Sequence, residues 1–542
     1  MKRIPSRPDI SHLKKQAKEL IALYRSNDPA ALVRFRVALP AAAGKTDPAI
    51  AALGLRLHDA QSCVAREYGF ASWTELQEFV LARQVHLADP VEAMRNWLSF
   101  VYAGDIAGGM GRPKPAVAAR LLEENAALPG DDPYLACALG DEATLHRATE
   151  RDPAWVHRAG GPLGLPPLVA VTHSGLLRLP AFRDRLRACA RFLLDAGASP
   201  DQAAGSRWPP ASLAAPSTTD RLSALYGAAG QNHDAVLTKL LLEAGADPND
   251  GESLYHSVES PECTSLLLKA GARIDGTKAL YRVLDFDNIA ALQLLMSSGA
   301  NPNQPIDHDC CTPLLWAIRR RRSAAHIEAL LAAGADPAAT TREGVSAGLL
   351  AQRFGLPEVA RLLMPETNGD ANRPITEAFI AACARGDETA ARRIRSAYPQ
   401  VLGMLSESEL RLLPELAAQG CGDAVRVMVR LGWPIAQRGG DWDASALNQA
   451  VFRGDAALAR LLLDHGASWT EQHGFGDNAC GTLSWASCNE PVDGGDWVGC
   501  AEALLAHGMP AALPDPQNPD GAVIDGRRML FSDAVTDFLL GR

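Results

Sequence analysis

Three groups of residues have types and spacings that could do chemistry. Gly344-Val-Ser346-Ala-Gly348 spells a nucleophile elbow. That device needs a buried strand before the serine and a helix after it, so that the hydroxyl sits on a strained turn. Asp336-Pro-Ala-Ala-Thr-Thr-Arg-Glu343 precedes it instead and reads as a polar turn, which leaves Ser346 to cap a helix. Gly44-Lys45-Thr46 ends like a phosphate-binding loop, but Leu39 stands where the first glycine belongs and Asp47-Pro48 follows. Without a glycine-rich cradle the backbone amides cannot converge on phosphates. His308, Cys310 and Cys311 share one loop, and His473, Cys480, Cys488 and Cys500 share a later stretch. Structural zinc favours close cysteine pairs in two clusters, and the chain has no Cys-x-x-Cys, so these read as buried or incidental thiols. The expectation is a protein that is not an enzyme and carries no catalytic residue, cofactor or metal.

The elements that hold these residues repeat. An aliphatic triplet, one or two further residues, then a glycine and a polar or proline-containing turn recur along the chain. Copies are Phe192-Leu-Leu-Asp-Ala-Gly-Ala-Ser-Pro200, Leu240-Leu-Leu-Glu-Ala-Gly-Ala-Asp-Pro-Asn249, Leu266-Leu-Leu-Lys-Ala-Gly-Ala272 and Leu294-Leu-Met-Ser-Ser-Gly-Ala-Asn-Pro-Asn303. Others follow at Leu330–Pro337, Leu461–Ala467 and Ala503–Gly508, with a degenerate one at Val427–Pro434. Each reads as a helix ending. The triplet is the buried last turn, the glycine takes a left-handed backbone just beyond it, and the Asp-Pro or Asn-Pro pair blocks continuation. The glycine intervals are 26 (Gly245 to Gly271), 28 (to Gly299), 35 (to Gly334), 34 (Gly432 to Gly466), 42 (to Gly508) and 48 (Gly197 to Gly245).

These intervals scatter about the ankyrin period of roughly 33 residues, and the chain resembles the ankyrin-repeat proteins. The second signature of that family, Thr-Pro-Leu with alanine three residues after the leucine, stands as Thr312-Pro-Leu-Leu-Trp-Ala317. Looser copies are Ser223–Ala228, Ser445–Ala450, Pro167–Ala170 and Ser346–Ala351, and the likeness covers residues 130–512. Gly348 and Gly227 depart from the pattern inside first helices, and Cys310 stands at a turn-glycine position; looser units are expected there. The resemblance implies an all-α fold: an ankyrin-repeat α-solenoid of helix-turn-helix units with short hairpin loops, and an N-terminal helical capping domain. It also implies a long concave binding surface of hairpin tips and inner helices.

The expected organisation is a helical leader over 1–90, like that before ankyrin arrays in some bacterial proteins; degenerate and regular repeats over 91–364; a break at 365–374; a second block over 375–512 with an insertion at 468–499; and a C-terminal loop and capping helix over 513–542. Leu13, Ala17, Leu20, Ile21 and Tyr24 fall on one face of a first helix capped by Ser11. A second helix follows Asp28-Pro29, Gly69 ends a third and Ser72 caps a fourth. Residues 201–221 read as a long exposed loop, 510–526 as a proline-rich loop, and 527–541 as a closing helix with Phe531, Val535, Phe538 and Leu539 inward.

With 542 residues the chain is too long for one core. Its net charge of −10 argues against a nucleic-acid or anionic-membrane binder. Residues 1–36 run the other way, with Lys2, Arg3, Arg7, Lys14, Lys15, Lys18, Arg25, Arg34 and Arg36 against Asp9, Glu19 and Asp28; they read as a solvated helix face, with a basic docking patch as the alternative. No secretory signal or membrane-spanning run is read, and 11 cysteines without a regular framework fit reduced thiols in a cytoplasm. A monomeric cytoplasmic scaffold that binds a protein partner is expected. The alternatives are a host-directed effector or immunity-type binder of the same fold and, further off, a hydrolase using Ser346. The candidate contact residues are Asp307, His308, Asp309, Arg342, Glu343, Arg438 and Trp442 at tips, His473, Phe475, Asp477 and Trp497 in the insertion, and Arg319 and Arg320 of the run Arg319–Arg322. That run is read first as a solvated helix end, where cations suit the helix dipole. Trp316 and Trp485 occupy the same repeat position and are read as inter-repeat packing.

Overall fold

The computed structural model describes residues 2, 4, 9–86, 90–125, 130–364, 374–516 and 521–541. Short helices dominate, with three small antiparallel sheets at loops. The break expected at 365–374 lies, save Pro374, outside the described residues, as do Arg3 and Arg7. Two compact units are formed, one by residues 1–283 with 293–300 and one by 284–292 with 301–542.

The first unit begins with the expected amphipathic helix, Ile10–Arg25, which buries Leu13, Ala17, Leu20, Ile21 and Tyr24. Its cap is Asp9 rather than Ser11: the Asp9 carboxylate accepts from the Ser11 amide at 2.8 Å. The Leu57–Glu67 helix packs on this helix and on Pro29–Ala38. Lys2 and Arg34 both reach Glu67, at 2.6 Å each, and Arg36 pairs with Asp47, so part of the basic N-terminal face is neutralised within the fold. Farther on, Pro133–Leu139 packs on Pro167–Thr172, while Pro180–Asp195 packs on Ala235–Glu243 and that helix on Pro261–Lys269.

The second unit repeats this pairing. Pro313–Arg319 packs on Ala347–Arg353, and that helix on Ile375–Ala384. Leu412–Ala418 packs on Ala446–Phe452, which packs on Ala479–Asn489. Behind them Gly422–Arg430, Ala456–Asp464 and Trp497–Ala506 pack in series. The glycines of the recurring phrase, Gly197, Gly245, Gly271, Gly299, Gly334, Gly432, Gly466 and Gly508, all have φ between +88° and +100°. Most have open space where a Cβ would stand, so backbone conformation rather than crowding demands glycine there. The opening signature works as a cap: the hydroxyls of Ser223, Thr312, Ser346 and Ser445 accept from the amide three residues on, at 2.9, 3.4, 3.4 and 3.4 Å.

Several expectations are corrected. Residues 201–221 are an exposed loop over 208–220, as expected, but not at its ends. Ala203–Gly205 pairs antiparallel with Arg221–Ser223, and the buried Arg207 donates to the carbonyls of Ile106 and Leu163 at 2.6 Å each. The stretch 468–499 contains a full inner helix, Ala479–Asn489. The closing helix is only Asp533–Leu539 and leaves Phe538 exposed, because Arg527–Leu530 pairs with Gly521–Ile524, which pairs with Leu513–Pro514. Gly227 opens a π-helical turn, Gly227–Gln231, where a Cβ would run into the His173 ring. At Gly348 the Met364 side chain occupies the space a side chain would need.

Candidate functional site

Ser346 caps Ala347–Arg353 through ordinary extended backbone (φ −67°, ψ 154°), so the strained turn of a nucleophile elbow is missing. Lys45 lies between a short helical turn, Pro40–Ala42, and the helix Asp47–Ala51, not between a strand and a helix. Among the described residues no three His, Cys, Asp or Glu side chains group so that they could hold a metal ion. Also among the described residues, no helix is long and apolar enough to cross a membrane.

The tips of the second unit converge instead on a cavity of about 360 Å³. Its wall includes His308, Asp309, Arg319, Glu343, Arg353, Arg411, Glu415 and Asp443. Arg319, at the end of Pro313–Arg319, is not solvated. It is 4% exposed, and donates to Asp441 at 2.7 Å and to Glu415 at 3.1 Å. Burial alone would lower its pKa, but Glu415 and Asp441 outweigh that and raise it. Arg320 lies 2.7 Å from Asp441 and 2.8 Å from Asp285. Together the two guanidinium groups hold the Asp441 carboxyl below its usual range against the opposing effect of burial. On the other wall Arg353 reaches Glu377 at 3.1 Å and Glu409 at 2.7 Å, and Arg411 reaches Glu407 at 2.8 Å. The arginines are thus committed inside the protein, whereas Asp309 and Glu343 are exposed at the rim and form no ion pair among the described residues.

His308 stands edge-on to Trp316 with ring centres 4.9 Å apart, and its Nδ1 accepts from the Cys310 amide at 3.0 Å. Burial, then the charge of Arg319, push its pKa down, and burial pushes the Cys310 thiol up to about 12. The Cys310 thiol is therefore not a thiolate at neutral pH. Asp307 and Arg342 pair with each other at the outer edge.

A run of rings starts at the next tip, beyond the cavity wall formed by Gly439, Gly440 and Asp443. The strands Arg438–Gly439 and Ala444–Ser445 hold this tip, and Arg438 pairs with Asp443 at 2.6 Å. Trp442 lies 5.0 Å from His473 and 5.7 Å from Phe452. His473 lies 5.9 Å from Phe475, and Phe452 stacks on Trp485 at 5.5 Å with planes 8° apart. Phe475 is 81% exposed and Trp485 53%. Asp477 makes a two-pronged pair with Arg527, 2.8 Å for each contact, and this holds its carboxyl below the usual range.

The structure therefore gathers His308, Asp309, Arg319 and Glu343 on one cavity and Trp442, His473 and Phe475 in one ring run; Asp307 and Arg342 pair with each other, Arg320 pairs with Asp441 and Asp285, Arg438 with Asp443, and Asp477 with Arg527. Two readings change. Trp497 is buried at the first position of its helix, its ring against Gly495, and is not available as an anchor. Trp316 is buried as expected, but Trp485 is 53% exposed, with one face on Phe452. Glu415, Asp441, Arg353, Arg411 and Phe452 were not singled out in the sequence. Their only signal was a place on or before the inner helices.

A second concentration of polar groups lies in the first unit and is closed. His173 Nδ1 and Nε2 lie 2.9 Å from Gln231 Oε1 and 2.8 Å from the Ser223 carbonyl, and Gln231 donates to Asp105 at 2.7 Å. Burial, the largest influence, lowers the His173 pKa against the pull of Asp105. In comparisons with known proteins, no family model and no curated protein matches this chain.

Proposed function

We propose that the chain is an ankyrin-type α-solenoid that acts as a protein-binding scaffold in the cytoplasm, without catalytic activity, through the tips and inner helices of its second unit. One observation carries this reading. Two tips present Asp309 and Glu343 on the cavity and two later ones present Trp442 and Phe475 in the ring run, while the arginines of the cavity wall are spent on internal pairs. Acidic groups and open aromatic rings on a frame of buried ion pairs suit recognition of another chain. The capped helices and left-handed glycines support the ankyrin reading, since they recur where the family pattern requires them.

The test is capture from cell extract followed by crosslinking and mass spectrometry. A partner crosslinked within 301–345 or 435–500 is expected. Partners found only on other surfaces would overturn the proposal, as would ester or nucleotide turnover abolished by Ser346→Ala or Lys45→Ala.

A further inference from the structure

The ring run has a chemistry of its own. Elsewhere in the molecule several rings carry an arginine over one face: Arg320 and Arg319 lie over Trp316 at 4.5 and 5.4 Å, Arg282 over Tyr255 at 4.8 Å, and Arg120 over Phe70 at 4.7 Å. Among the described residues no cation lies over Trp442, Phe475 or Trp485. Every arginine near these rings already has a partner: Arg438 holds Asp443 and Arg527 holds Asp477. The carboxylates nearby are in excess. Asp309 and Glu343 rim the cavity at one end, and Glu490 and Asp493, both exposed and outside any ion pair among the described residues, follow the helix of Trp485 at the other. Open ring faces attract cations through their quadrupole, and unpaired carboxylates favour the same charge. A guanidinium also stacks flat on a ring and forks onto a carboxylate, which an ammonium does less well.

Resting on the reading that these tips bind a protein, we propose that the bound segment is an extended, arginine-bearing stretch of polypeptide. One arginine enters the cavity toward Asp309 and Glu343, and further arginines stack on Trp442, Phe475 and Trp485. The molecule's own Trp316, with Arg320 above it and Asp285 beside both, displays the arrangement that the partner would complete.

The full chain is titrated with short synthetic peptides that alternate Arg with Gly, Lys with Gly, or Glu with Gly, followed by peptide anisotropy and tryptophan fluorescence. The Arg peptide is expected to bind, to quench tryptophan emission and to weaken with added salt, with the Lys peptide weaker and the Glu peptide inert. Phe475→Ala and Trp485→Ala should each weaken the Arg peptide about threefold to fivefold, and Glu343→Gln should reduce the salt dependence. Phe475 is so exposed that its replacement leaves the fold intact, which keeps the test interpretable. Equal binding of the Arg and Glu peptides, or indifference to Phe475→Ala and Glu343→Gln together, overturns the inference. So does self-association of the chain that Phe475→Ala abolishes, since the occupant is then a second copy. A captured partner crosslinked to the tips through a segment without arginine overturns this inference and leaves the binding role standing; absence of any tip-crosslinked partner removes both.

Discussion

Trp316 and Trp485 stand at the same place in the repeat phrase, each followed by alanine, yet they meet different fates. Trp316 is 8% exposed, its indole N–H donates to Asp285 at 3.0 Å, and two arginines and His308 close over its faces. Trp485 rests one face on Phe452 and leaves the other open. The difference comes from what surrounds the ring. Arg319 and Arg320 follow Trp316 on its own helix, and Asp285 lies alongside. Trp485 is followed by Ala486, Ser487, Cys488 and Asn489, none of which can lie over it as a cation. Burial at a repeat position is therefore decided by neighbouring charge as much as by the apolar pattern.

The comparison breaks most visibly at Trp316 itself. Trp316→Ala should cost about 3–5 kcal/mol, read from urea unfolding, because it empties a buried slot and strands the groups that cover it. Arg319→Ala should follow at about 3 kcal/mol, since Glu415 is left half-buried without its cation; a loss under about 1 kcal/mol would mean that water reaches the pair freely. Acid comes next. Burial holds the imidazoles of His308 and His326 below their ordinary pKa. The unfolded chain therefore takes up protons first, near pH 6.5, and stability should fall as pH drops from about 7 through 6. The slope is at most ~1.4 kcal/mol per pH unit for each imidazole, and His326→Gln should flatten it. The smallest effect is at the open ring: Trp485→Ala should change stability by less than about 1 kcal/mol in the same urea assay. A loss as large as that for Trp316 would show that the two positions are equivalent after all.

Much of the frame was legible in the sequence. Glycine after an aliphatic triplet has one good reason to recur, and a hydroxyl three residues before a free amide has another, so helix ends could be placed. The leader's first helix was readable to its buried face for the same local reasons. The cavity was legible only in part. Asp309, Glu343 and Arg319 could be named from their tips and run, but Glu415, 96 positions after Arg319, could not be matched to it. Pairings over such separations depend on how units stack, which no local pattern carries. Trp497 misled because a Gly- and Asp-rich neighbourhood reads as open loop, whereas Gly495 is there to let the ring close in. The strands of 513–530 were missed because two- to four-residue pieces carry no periodicity of their own.

Arg207 shows what such long-range anchoring means for handling the molecule. By composition, the Ala-, Pro- and Ser-rich stretch around it is where one would choose to cut the chain or splice in a tag. Its guanidinium, however, is locked onto two carbonyls, one of them 101 positions away. Trypsin needs that side chain in its own specificity pocket, so the Arg207–Trp208 bond should survive limited digestion of the native protein and be cleaved only after the first unit opens. The appearance of that cut over time would then serve as a clock for unfolding.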